Sequence, residues 1–477
     1  MKKILFATIV LGGFILSGCN DWLDVNPRTE VKKDVLLETQ KGFRDVLTGA
    51  YIRMKNANLY GGETTWNAVE YLAQHWETTA GTTNNYIQTY NYTASSVKDR
   101  FTNIFKTYYK VIADVNSILE VIDEKKDIFT KGNYELIKGE ALALRAFCHL
   151  DVLRLFGPMP TGEISEDKIL PYVKTVTNEV HDYSTYKQFV ALLLEDLNEA
   201  EKLLGAVDPI LKFSVKELKT ITVIEGELED DYWAYRQVRM NYYAVLALKA
   251  RFYSWTQDEP NALLYANKVI NAVDPAGNKM WTLADGVTLE SGDRALASEN
   301  IMGLSVYDLD KQATDNFPIN GGGKNAIGWK FTYYVFNTTE SAADIRFNKQ
   351  WLKTTSGGNE VYVCLKYHQS ETSPVNEIPL IRLCEMYFIA METNPSVTEA
   401  NALYDEYASK RGVAKVDLST DRVNRLKKEF NKEFYAEGQM FFFYKRTGAT
   451  STLEYVQLKP EYYTLPLPER EIVFNNN

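Results

Sequence analysis

The chain has 477 residues, and its 63 Asp and Glu outnumber its 53 Lys and Arg to give a formal charge of −10. An acidic balance of that size argues against a nucleic-acid partner. The length would allow two or three domains, yet no Pro-, Ser- or Gly-rich linker divides it, so one large body with long insertions is expected.

Met1, Lys2 and Lys3 precede an apolar run at 4–15, which is too short to span a bilayer as a mature helix and reads as a cleaved export signal at 1–18. Leu16, Ser17, Gly18 and Cys19 resemble a lipobox, in which Cys19 becomes the lipidated first residue of the mature protein. A polar tether follows at 20–28. An acyl-anchored protein sits on a membrane without spanning it, and no later apolar run is long enough to span. The other cysteines, Cys148, Cys364 and Cys384, form no CxxC pair. An odd number in apolar settings points to buried thiols rather than to disulfides or a metal site.

Residues 39–55 carry Phe43, Val46, Leu47, Ala50 and Met54 at helical spacing, which predicts a first core helix. From 59 to 96 the periodicity disappears, and Gly, Thr and Asn mix with Trp66, Tyr71, Trp76, Tyr86, Tyr90 and Tyr92. Long loops of this kind tend to be functional or disordered, and disordered segments are poor in aromatics, so an ordered loop is expected. Its rings serve either a ligand or the attachment of the loop to the core. Residues 101–122 are helical again.

The stretch 134–160 is apolar on two opposite faces, with Ile137, Ala141, Leu144, Cys148, Val152 and Leu155 on one and Gly139, Leu142, Ala143, Ala146, Leu150 and Leu153 on the other. Lys138, Arg145 and His149 form one polar seam, and Glu140, Asp151 and Arg154 the other. A surface helix needs a single apolar stripe, so this one belongs between two layers of helices. Gly157 is expected in the left-handed conformation just past its end, with Pro158 and Pro160 stopping the helix.

An apolar face at 184–204 predicts another helix, and the acidic run 225–231 reads as a solvated loop. Helices at 237–257 and 260–272 alternate small and large residues and are compatible with a degenerate tetratricopeptide-like pair. Between 281 and 373 the pattern turns strand-like, most clearly where Val361, Val363 and Leu365 alternate with Tyr362, Cys364 and Lys366. Gly321, Gly322, Gly323 and Lys324 lack the spacing of a phosphate loop. Asp308 and Asp310 are too small a cluster for a calcium loop. Helices resume at 378–393, 398–411 and 421–436, and the prolines of 465–468 keep that segment extended.

Five blocks in this order give the chain a resemblance to the SusD/RagB family of outer-membrane nutrient-binding lipoproteins. They are CNDWLDVN (19–26), RAFCHLDVLRLFGPMP (145–160), IPLIRLCEMYFIAME (378–392), KEFNKEFYAEG (428–438) ahead of Lys445 and Arg446, and LPLPEREI (465–472). The chain departs from the family at Met440 and Phe443, where members often carry a basic and an acidic residue. The resemblance implies a mainly α fold of tetratricopeptide-like helix pairs in a right-handed superhelical scaffold, with long loop insertions and a few short β-strands. It divides the body 19–477 into an N-terminal SusD-like part, 19–210, and a C-terminal part, 211–477. It implies a non-catalytic protein on the cell surface of Bacteroidetes-type bacteria, lipid-anchored at Cys19 in the outer membrane, with Asp21 resembling a surface-export signal. The implied partner is a SusC-like TonB-dependent transporter, which receives oligosaccharides or, in some relatives, peptides.

A catalytic reading finds little support. His75, His149, His181 and His368 occur in no HExxH, and no GxSxG is present. A glycosidase needs two carboxylates at a cleft, which Glu63, Glu70 and Glu77 could supply, and a scaffold that binds only other proteins is the remaining class. No cofactor and no metal site are expected. Sugars present a C–H face and a rim of hydroxyls, so their sites need flat aromatic surface and a few polar groups. The expected stacking residues are Trp66, Trp76, Tyr86, Trp329 and Tyr333, with Asn84, Asn85 and Glu77 as hydrogen-bonding partners.

Overall fold

Helix α1, Gln40–Met54, begins where Thr39 Oγ1 accepts the backbone N–H of Gly42 at 3.1 Å, a side-chain cap that satisfies one of the first turn's unpaired donors. Its Phe43, Val46, Leu47, Ala50 and Met54 are buried, as their spacing predicts. The protein is represented by a computed structural model that describes residues 33–177, 179–220, 228–322, 325–337, 341–370 and 376–475. The leader, Cys19, Asp21, Gly323, Lys324 and the front of the acidic run at 225–231 lie outside the described residues.

Helix α2, Ser95–Leu119, the central α3, Asn133–Phe156, and α4, Tyr186–Val207, follow, and α3 packs against both of the others. Nearly every residue of α3 is buried, including both apolar faces. Apart from the half-buried Lys138, its polar seams are buried too, which is tolerable because each group is paired. Arg145 makes two 2.7 Å bonds to the carboxylate of Asp196, Asp151 meets Arg154 at 2.9 Å and Tyr60 at 2.7 Å, and Glu140 is ion-paired with Arg236. Gly157 corrects the expectation of a left-handed cap, since its φ is −81° and its backbone extended. Glycine is required there for space: a Cβ would lie 2.7 Å from the Leu153 carbonyl oxygen.

His149 is held by its seam. The Val173 N–H can only donate, so Nε2 accepts it at 3.0 Å and Nδ1 donates to the Arg145 carbonyl at 2.9 Å. This arrangement requires neutral imidazole, and burial holds its pKa well below the usual 6.5. The unfolded chain takes up a proton near 6.5 that the folded protein refuses, so stability is full above that pH and falls as the pH drops. Burial lowers His368 in the same direction. Between pH 7.5 and 5.5 we expect His149 to account for a loss of about 1.4 kcal/mol, read as a lower denaturant midpoint. In His149→Gln that limb should flatten, and equal slopes in parent and variant would contradict the assignment.

Helices α5, Tyr242–Trp255, and α6, Glu259–Ile270, form a packed pair, and α6 in turn meets α7, Leu383–Thr393. Helices α8, Val397–Arg411, α9, Arg422–Glu433, and α10, Met440–Thr447, complete the helical body. The strands are short: β1, Lys168–Pro171, pairs with β2, Tyr183–Thr185; β3, Asn300–Ser305, pairs with β7, Glu377–Arg382; and β4, Ala326–Ile327, β5, Trp351–Ser356, and β6, Asn359–Cys364, form a sheet in the order β4-β6-β5. The fold is thus mainly helical with a few short strands, as expected. Two local expectations fail. Residues 377–382 are strand rather than the start of a helix: they pair antiparallel with β3, and a short apolar run suits either state. Of the acidic run, Glu229 and Asp230 are not merely solvated, since they grip Arg44 of α1 at 3.1 and 2.5 Å. One apolar cluster extends from Leu37 to Leu465 and draws on residues from both sides of position 210. Cys148, Cys364 and Cys384 are free and buried.

Candidate ligand-binding site

The sequence-predicted stacking residues separate into two groups. Trp66 and Trp76 are each 1 % exposed. The Trp76 Nε1–H donates to the Trp66 carbonyl at 2.9 Å, and its ring meets Phe317, Trp351 and Tyr435. Rings enclosed in this way have no face to offer a ligand, so both tryptophans are withdrawn as contact residues. Tyr86 is half-buried against the core. The stretch 59–96 is not an open loop: tight turns lead into the short helices Ala68–Leu72 and Thr83–Gln88, and its rings face inward. Segments this short show no periodicity, which is why the sequence reads as loop.

Trp329 and Tyr333 stand out from the surface, 63 % and 68 % exposed. They flank and occupy a single π-helical turn, Phe331–Val335, closed by a 2.8 Å bond from the Phe336 N–H to the Phe331 carbonyl. Phe331 and Phe336 are fully buried; Phe331 packs on Trp351 and Tyr362 with centroids 4.3 and 4.5 Å apart. With residues 331, 335 and 336 anchored in the core, Tyr333 at the middle of the turn is left on the surface, and π-turns recur at functional sites. Trp329, Tyr333 and Tyr334 lie mutually 4.7 to 6.0 Å apart at interplanar angles of 48° to 78°. Tyr455, 75 % exposed, extends the group with its ring 6.1 Å from Tyr334. The rings meet edge to face or tilted, so no two of them are stacked face on face. Tyr455 was not anticipated; its only sequence signal is an aromatic residue near the C-terminus.

The two aromatic stretches, 59–92 and the segment around Trp329, do meet. Glu77 donates its backbone N–H to the Ala326 carbonyl, and its Oε1 accepts the Gly328 N–H, both at 3.1 Å. A Cβ at residue 328 would lie 2.8 Å from that oxygen, so glycine permits the approach. Behind it, Asn84 Nδ2 donates to the Tyr71 hydroxyl at 2.8 Å, which donates to Asn325 at 2.6 Å. The other end of Asn84 accepts from Arg100 at 2.6 Å, and Asn85 Nδ2 donates to Thr78 at 3.0 Å. Asn84 and Asn85 therefore support the seam, while Glu77 is exposed beside the platform. Lys330 and Glu454 form a 2.7 Å ion pair at the same edge, and burial raises the Glu454 carboxyl above its ordinary value.

The remaining acidic candidates are structural. Glu70 is fully buried, accepts the N–H groups of Ala436 and Gly438 at 2.9 and 2.8 Å, and lies 2.5 Å from His75. Glu63 is paired with Arg100 at 2.6 Å. The ligand atoms of Glu299, Cys384 and Glu433 lie within 4.8 Å of one another, the spacing of a metal site. Both carboxylates are instead matched by the guanidinium groups of Arg382 and Arg411, and burial pushes the Cys384 thiol well up, against the thiolate a metal requires.

The sequence matches the family model described as SusD-like, starch-binding associating with outer membrane, over residues 21–216. A SusD-like protein of Formosa agariphila is 23 % identical over 225 residues, and the match spans 41 % of this chain and 40 % of that relative. Among solved structures, a SusD superfamily protein from Bacteroides thetaiotaomicron has a TM-score of 0.71 at 20 % identity, covering 92 % of this chain and 98 % of that one. Surface glycan-binding protein A from Bacteroides uniformis has a TM-score of 0.67 at 16 % identity, with coverages of 92 % and 98 %. At such identities the structural likeness is one of fold.

Proposed function

We propose that this chain, similar to SusD-like proteins in sequence and fold, is a non-catalytic glycan-binding lipoprotein of the SusD/RagB family that captures oligosaccharides at the cell surface and delivers them to a SusC-like TonB-dependent transporter. The observation that carries this reading is the platform of Trp329, Tyr333 and Tyr455, whose rings are exposed, joined by the half-buried Tyr334, while comparably large aromatics nearby are buried. Flat exposed rings match the C–H faces of sugars, and Glu77, Lys330 and Glu454 at the rim provide partners for hydroxyls. The Glu70 and Glu63 carboxylates are committed to internal bonds, which supports binding without cleavage.

Titration calorimetry against a panel of oligosaccharides, with reducing ends assayed in the same samples, tests the reading. Trp329→Ala should weaken binding about tenfold, the upper end of what one stacked ring contributes, and leave the melting temperature unchanged. Unaltered affinity in Trp329→Ala would place the site elsewhere, and release of reducing ends would make the protein a hydrolase.

Attachment to the outer membrane through Cys19 is part of the proposal. Among the described residues no helix is long and apolar enough to cross a membrane. Cys19→Ala should move the protein into soluble fractions; continued detergent-dependent membrane association would rule the anchor out.

A further inference from the structure

We infer that the ligand carries anionic groups, sugar carboxylates or sulfate esters, read by Arg425 and Lys428 in a cleft that continues from the aromatic platform. The inference rests on the reading of that platform as the glycan site. Tyr333 and Tyr334 belong to both features: they are the platform's central rings, and they also line a cleft of about 740 Å³ together with Arg425, Lys428 and Lys432 of α9. That volume lies within the range of small-molecule sites.

Among the described residues the charges of the cleft do not cancel internally. Glu429 is taken by Arg346 at 2.6 Å and by Lys432 at 2.9 Å, which also occupies Lys432. Asp421 accepts from Asn424 at 2.6 Å, and Asp417, within electrostatic reach of Arg425, is held by Ser419 and Asn401. Among the described residues no salt bridge involves Arg425 or Lys428, and the Arg425 Nε is buried without a hydrogen-bond partner. Two uncommitted cations beside exposed rings, in a chain whose net charge is −10, are a local reversal of sign. A cation in the first turn of a helix also opposes the helix dipole, so Arg425 sits where an external anion would relieve it. A guanidinium matches carboxylate and sulfate oxygens in pairs, and a neighbouring ammonium adds a point charge. A neutral glycan would leave both groups without a partner.

The test uses the full soluble domain and three probes: a neutral malto-oligosaccharide, an oligogalacturonate and a sulfated oligosaccharide. The parent should bind one of the acidic probes at least tenfold more tightly than the neutral one, with affinity falling as salt is raised, and the acidic probe preferred identifies the substituent. The double variant Arg425→Gln, Lys428→Gln should lose that preference while keeping its melting temperature, and Trp329→Ala should weaken every probe that binds. Neutral binding equal to or tighter than acidic binding overturns the inference but leaves the glycan site intact. An acidic preference that survives in the double variant also overturns it. Failure of all three probes overturns both readings.

Discussion

Glu433→Ala should destabilise the protein by about 3–5 kcal/mol, the cost of removing one partner from a buried ionic cluster. The Glu433 carboxylate is fully buried and accepts from Arg382 at 2.9 Å, Arg411 at 2.8 and 2.9 Å, Arg346 at 3.2 Å and the Tyr407 hydroxyl at 3.1 Å. Burial by itself would raise its pKa, but the guanidiniums of Arg411 and Arg382 outweigh it and hold the carboxyl well below the usual 4.5. Without it, Arg411 keeps Glu299 at 2.6 Å as its carboxylate partner, and Arg382 keeps Glu299 at 3.1 Å and Glu437 at 2.8 Å. The cluster joins β7, α8 and α9 and so ties the C-terminal elements together. Because the folded pKa is depressed, this stabilisation is present above 4.5 and is lost as the pH falls through the folded value. Urea titration at pH 7 is the measurement, with Glu433→Gln expected to fall between parent and alanine variant. A loss below 1 kcal/mol in Glu433→Ala would mean that the cluster contributes little.

Leu144→Asp should abolish soluble, cooperatively folded protein. Leu144 is completely buried on α3, and an isolated charge there pays desolvation of several kcal/mol, against a total stability of only about 5–15 kcal/mol. The neighbourhood makes it worse. One turn earlier stands Glu140, also fully buried, whose partner Arg236 already serves Asp208 at 2.7 Å. A second carboxylate at i+4 adds repulsion rather than a pair. Size-exclusion chromatography and circular dichroism of the expressed variant decide the matter; a monomer that melts cooperatively near the parent temperature would contradict the placement of this helix.

The legible part of this protein was the part with long periodic segments. The doubly apolar pattern of 134–160 specified a helix between layers, and α3 is that helix, because an α-helix repeats its contacts every turn and so writes its environment into spacing. The buried cysteines, the strand-like alternation around 361–366 and the mainly helical fold were readable on the same local grounds, and the ordered five blocks carried the family resemblance. The candidate site was legible only in part. Trp329 and Tyr333, proposed as stacking residues, stand on the surface, whereas Trp66 and Trp76 belong to the core. Aromatic composition is the same in either case; exposure depends on what other segments cover, here Phe317, Trp351 and Tyr435 from distant parts of the chain.

The pairing of charges was likewise a tertiary decision. Nothing within KEFNKEFYAEG signals that Glu433 meets Arg382 and Arg411, 51 and 22 residues away, and nothing in the local sequence signals that Arg425 and Lys428 line one cleft with Tyr333 and Tyr334. Helical periodicity acts over three or four residues, so the sequence by itself determined which faces are apolar and hence which segments are helices. Which charged groups find partners, and which aromatic rings remain uncovered for a ligand, was decided only when the helices and insertions packed, because burial is a property of the surrounding chain and not of the residue.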